Sequence, residues 1–164
     1  MNRSQINHIM RQAESFLEER RFILPPFARW SPADWRGRGD AAQQIVSCRL
    51  GWDITDFGLG DFARCGLFLF TLRNGHLSPT AVGPRKTYAE KILIVEEGQL
   101  TPLHFHWSKM EDIINRGGGD LLVQLFNALP DEQIDRQSPV TVWTDGVQRT
   151  VPAGGTLRLG PGES

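Results

Sequence analysis

The chain has 164 residues, 40% of them hydrophobic and 23% charged, with a formal net charge of −1. That length suits one domain with room for a real core, and the near-neutral balance gives no electrostatic reason to expect nucleic acid or an anionic membrane as partner. The longest apolar run, residues 65–72, is far short of the roughly twenty residues that span a bilayer, so it reads as a core strand.

In chain order, Ile6, Ile9, Met10, Ala13, Phe16 and Leu17 recur at helical spacing with charged residues between them, which predicts an amphipathic helix over 2–20. Its apolar stripe needs a partner surface. The polar, helical start is unlike a charged stub followed by an apolar run, so no signal peptide is read. Pro25-Pro26 ends any continuation of that helix. Ser31-Pro32-Ala33-Asp34 then reads as a helix start, with serine as N-cap, proline in first position and a carboxylate on the first turn. A further short helix is expected over 40–49.

From Trp52 onward the pattern changes. Glycine, aspartate and aromatic residues punctuate 51–60, and short apolar or alternating runs follow at 65–72, 91–96, 103–107, 112–115, 121–128, 140–144, 147–151 and 156–159. Short strands separated by turn signals suggest a β-sandwich or barrel. Asn74-Gly75 and Asp145-Gly146 suit the positive φ angles of two-residue hairpin turns. Cys48 and Cys65 form neither a close pair nor a secreted framework, which predicts two reduced, mostly buried thiols and a cytoplasmic protein. Trp52 and Phe57 are expected in the core rather than on a ligand. Gly117 to Gly119 read as a turn, because no helix with a phosphate-loop lysine follows.

The segment from Glu97 to Glu111 carries the chemistry. His104 and His106 are two of only four histidines. On a strand they project from one face, with Phe105 and Trp107 on the other. After a turn through Ser108 and Lys109, Glu111 can return to the histidine face. Two imidazoles and one carboxylate make a chelate for a borderline divalent ion.

The spacing Gly98-x5-His104-x-His106-x4-Glu111-x5-Gly117 resembles the first signature of the cupins, small β-barrels that hold a divalent metal. A longer pattern runs through 91–99, Thr101-Pro102, His104-Phe105-His106-Trp107, Lys109 and 111–119, with 50–58 and 70–75 beside it. It resembles the bacterial D-lyxose ketol-isomerases over most of the chain. The resemblance implies a mainly β, cupin-type double-stranded β-helix (jelly-roll barrel) preceded by N-terminal α-helices. Residues 1–164 are then a single domain, with 1–50 a helical segment packed on the barrel and 51–164 the cupin barrel. It further implies metal ligation by His104, His106 and Glu111 and a catalytic role for Lys109 at a substrate oxygen. The expected cofactor is Mn²⁺, although the donor types alone suit Fe²⁺, Co²⁺ or Zn²⁺ equally. The expected partners are a pentose sugar and a second copy in a homodimer, with no nucleic acid and no membrane.

In that family the fourth ligand is a histidine of a second cupin signature. Gly160-Pro161-Gly162-Glu163-Ser164 resembles its opening, so the barrel is expected to be incomplete, with the fourth ligand and the general base beyond Ser164. Neither His8, on the first helix, nor His76, beside the Asn74-Gly75 turn, has the context to replace that ligand. Asp112, Arg116 and Gln124 are candidates for substrate contact. Interconversion of D-lyxose and D-xylulose through a cis-enediol is the implied reaction. Two other readings stay open: a non-haem iron oxygenase built on the two-histidine, one-carboxylate triad, and a non-catalytic sugar-binding cupin.

Overall fold

A computed structural model describes residues 1–75 and 86–164; His76 lies outside the described residues. The chain forms two compact units, Met1–Pro102 and Leu103–Ser164. Helices occupy the start, and the strands that follow pair antiparallel, the mainly β plan with N-terminal helices expected of a cupin-type chain. Among the described residues the strands pair as one three-stranded and three two-stranded sheets. No helix there is long and apolar enough to cross a membrane.

In the first unit, α1 (Arg3–Glu19) begins with a capping box in which Asn2 and Gln5 each bond the other's backbone N–H. A 3₁₀ turn (Pro26–Arg29) leads to α2 (Pro32–Arg38), where Ser31 and Asp34 form a second capping box with Pro32 in the first turn. The helix expected over 40–49 is split into a 3₁₀ turn (Gly39–Ala42) and α3 (Gln43–Ser47). Strands β1 (Gly51–Thr55), β2 (Leu67–Arg73) and β3 (Glu90–Ile94) form an antiparallel sheet with β2 in the middle. The central position explains the unbroken apolar run of β2, since both of its faces are covered: Phe68, Leu69, Phe70 and Thr71 are all buried.

One sheet face supplies the partner that the α1 stripe requires. Trp52, Phe70 and Ile92 lie opposite one another in register, and Phe70 packs with Leu17, Leu24, Phe16, Phe27 and Ile94 in the core. Phe70 is fully buried, stacked on Phe27 at 5.6 Å and met edge-on by Trp52 at 4.9 Å. Burial of such a side chain is worth about 2 to 3 kcal/mol. Trp52 also donates its Nε1–H to the Ala28 carbonyl, which confirms it as core, whereas Phe57 is 40% exposed in a turn at positive φ. The hairpin expected at Asn74-Gly75 runs into residues outside the described ones; β2 ends at Arg73, which pairs with Glu90 of β3, and Asn74 donates to the Cys48 carbonyl. Cys48 is buried and Cys65 half-buried, and no disulfide joins them.

In the second unit, β4 (Leu121–Gln124) pairs with β9 (Thr156–Leu159), β5 (Asn127–Ala128) with β6 (Ile134–Asp135), and β7 (Val140–Thr144) with β8 (Val147–Val151). The β7–β8 hairpin turns on Asp145 and Gly146, both at positive φ, as their sequence predicts. The strands expected at 103–107 and 112–115 are not formed. Pro102 offers no N–H to a ladder, and Asn115 spends its backbone groups on a turn, donating to the Glu163 carbonyl and accepting from Gly162 N–H.

Candidate metal centre

His104, His106, Lys109 and Glu111 all belong to one loop of the second unit, between Pro102 and β4. Bends at Trp107–Ser108 and at 117–119 fold the loop back on itself. Side-chain convergence therefore comes from this turn and not from strand alternation, which corrects the reasoning but leaves the grouping intact. One nitrogen from each histidine and one oxygen of Glu111 all lie within 4.8 Å of one another. The two imidazole rings meet edge-on, 5.1 Å between centroids.

His106 Nε2 lies 3.1 Å from Glu111 Oε2, and Lys109 donates to Glu111 Oε1 at 2.9 Å. A carboxylate only accepts, so the first contact requires a proton on His106 Nε2. Partial burial works to raise the Glu111 carboxyl. The Lys109 ammonium and then His106 outweigh it, and Glu111 sits below its ordinary value.

The donor set suits a divalent ion. Nitrogen and oxygen ligands about 2.1 Å from one ion can be at most about 4.2 Å apart, so modest side-chain rotation brings the three atoms onto a common centre. All three residues are exposed, which gives them room to rotate and leaves a face of the site open to a small ligand. Mixed imidazole and carboxylate donors fit Mn²⁺, Fe²⁺, Co²⁺ or Zn²⁺.

The end of this loop is anchored. Asn115, buried among its neighbours, accepts from Gly117 N–H through Oδ1 and donates through Nδ2 to the Gly119 and Leu159 carbonyls, each at 2.8 Å. Position 115 read as the end of a strand, yet asparagine two residues before a glycine is also the signal for the side-chain-capped turn it makes. Gln124 is committed to the Gly154 carbonyl at 3.1 Å, on β4. Asp112 and Arg116 are exposed on the loop. Trp107 is 73% exposed, its ring 4.8 Å from that of Phe105, so it is not the packing residue expected.

Comparison with known proteins adds an independent line. The D-lyxose isomerase family matches residues 1–164. A D-lyxose/D-mannose isomerase of Escherichia coli O157:H7 is 50% identical over 165 residues, covering 100% of this chain and 71% of the relative. One of Serratia proteamaculans, with the same name, shows the same identity and coverage.

Proposed function

Because this chain belongs to the D-lyxose isomerase family, we propose that it interconverts D-lyxose and D-xylulose through a cis-enediol, with His104, His106 and Glu111 holding a divalent metal. The coarser statement, a sugar isomerase, follows from family membership. The observation that supports the finer one is the convergence of two imidazoles and one carboxylate within 4.8 Å on a loop that also carries Lys109.

Aldose-ketose isomerisation removes a proton from the carbon beside a carbonyl and returns it to the neighbouring carbon. A bound divalent ion supplies Lewis-acid stabilisation of the negative charge that develops on the sugar oxygens. His104 and His106 contribute no charge and Glu111 one negative charge, so the ion keeps part of its positive field for the sugar. Glu111 is a ligand and not the base, since coordination consumes its lone pairs and lowers its basicity. Lys109 takes the part of catalytic cation in this reading, its ammonium meeting a substrate oxygen where charge accumulates. The relatives' name adds D-mannose, which repeats the D-lyxose configuration from C2 to C4, so both sugars belong in the assay.

The same proposal takes manganese as the ion, a cytoplasmic location and a homodimer from the family resemblance, and residues 51–164 as the cupin portion. The test is conversion of D-lyxose to D-xylulose by the chelator-stripped protein with and without added Mn²⁺, beside His104→Ala. Turnover that requires Mn²⁺ and disappears in His104→Ala supports the reading. No ketose from the metal-loaded protein, or oxygen consumption with Fe²⁺, overturns it.

A further inference from the structure

Both oxygens of Glu111 are engaged in this structure: Oε1 accepts from the Lys109 ammonium at 2.9 Å, and Oε2 lies 3.1 Å from His106 Nε2. We propose that Lys109 is a built-in placeholder cation, which neutralises Glu111 while the site is empty of metal and is expelled when a divalent ion arrives. Metal loading and release of Lys109 toward the sugar are then one event. This rests on the metal-centre reading above and adds a regulatory step to it.

Lys109 stands two residues before Glu111 and three after His106 in the same short loop, and its ammonium bonds the carboxylate of the cluster that could hold a metal. Without an ion, the Glu111 and Lys109 charges cancel and the two imidazoles add none when neutral. An incoming dication draws on the same carboxylate and repels the ammonium at the same short range. The two cations therefore compete for one negative charge. The lysine side chain is long and about two-fifths exposed, so it can leave without disturbing the loop. Once released it remains tethered beside the ion, where a sugar oxygen is the next acceptor within reach. Lys109 thus becomes available to substrate only in the loaded site, which enforces metal before sugar.

Isothermal titration of the stripped chain with Mn²⁺ separates the possibilities. Lys109→Met keeps the length of the side chain and removes the competing charge, so it is expected to bind Mn²⁺ about five- to tenfold more tightly than wild type, the upper range for an exposed ion pair plus the lost repulsion. Lys109→Arg keeps the charge and is expected to stay within about twofold of wild type. In crystals, the contact between Lys109 Nζ and Glu111 should be present in the stripped form and lengthened beyond about 4 Å after Mn²⁺ soaking. Equal or weaker binding by Lys109→Met, with wild type binding normally, overturns the placeholder role and leaves the metal centre standing. Absence of Mn²⁺ binding by wild type overturns both.

Discussion

Asn115 Nδ2 donates to the Leu159 carbonyl at 2.8 Å, linking the end of the ligand loop to the end of β9 across 44 positions. The same nitrogen serves the Gly119 carbonyl, and Oδ1 takes the Gly117 N–H. One buried amide therefore bonds three backbone groups, two of them in the loop and one at the end of β9. Asn115→Ala should cost about 2 kcal/mol in urea denaturation, the penalty of stranding buried polar groups. Asn115→Asp, nearly isosteric, should be worse, because a carboxylate oxygen would face two carbonyls where an N–H₂ stood. Equal stability of wild type and Asn115→Asp would rule out this anchoring role.

The fold was legible wherever a local signal and its packing agree. The periodicity of Ile6 to Leu17 marked a helix that does bury Ala13 and Leu17, and Ser31-Pro32 marked a cap that forms. Asp145-Gly146 marked the hairpin that forms between β7 and β8. Asn74-Gly75 carries the same signal at the edge of the described residues, where the asparagine donates to the Cys48 carbonyl. The apolar character of residues 103–107 suggested a strand, but a strand exists only with a ladder partner, and alternation cannot say whether one is there. The candidate ligands survived that error because their grouping needs only proximity, which a six-residue turn from His106 to Glu111 provides as well as a hairpin does.

The α2 cap makes a pH prediction. Asp34 accepts from Ser31 Oγ and Ser31 N–H, and these bonds, with Arg38 behind them, hold its carboxyl below the usual value of 3.8. A depressed folded pKa means that the stabilisation is fully present above about pH 3.8 and is lost as pH falls through the lower folded value. NMR titration of the Asp34 carboxyl should show the depressed midpoint. Ser31→Ala should move it back toward 3.8 and cost about 1 kcal/mol of stability as a lost N-cap, and Asp34→Asn should remove this contribution to the acid limb. An Asp34 midpoint unchanged by Ser31→Ala would contradict the cap.

Two glycines should respond oppositely to alanine. At Gly66 an added Cβ would lie 2.5 Å from the Phe62 carbonyl oxygen and 2.8 Å from Gln99 Nε2. Gln99 cannot yield easily: it is buried, donates to that carbonyl at 2.7 Å and accepts from Glu96 N–H. Gly66→Ala should therefore destabilise by about 2 kcal/mol through overpacking. Gly37 lies within α2 with nothing within 4 Å of a new Cβ, so Gly37→Ala should stabilise by about 0.5 to 1 kcal/mol as the backbone entropy cost falls. Thermal melts of the pair should move in opposite directions.

If His104, His106 and Glu111 hold the metal as proposed, removing the two kinds of ligand should alter metal preference in opposite senses. Glu111 is the hard, anionic donor of the set, and His104 and His106 are the borderline ones. Glu111→Gln leaves both imidazoles but only a neutral oxygen, so Mn²⁺ affinity should fall by about a hundredfold and Zn²⁺ affinity by less. His106→Ala removes an imidazole and keeps the carboxylate, so it should penalise Zn²⁺ more than Mn²⁺. Competition titrations of wild type, Glu111→Gln and His106→Ala with the two ions give the ratios directly. A shared ratio in all three proteins would mean that the ions bind elsewhere, because loss of a coordinating donor changes the relative affinity for two metals that favour different donors.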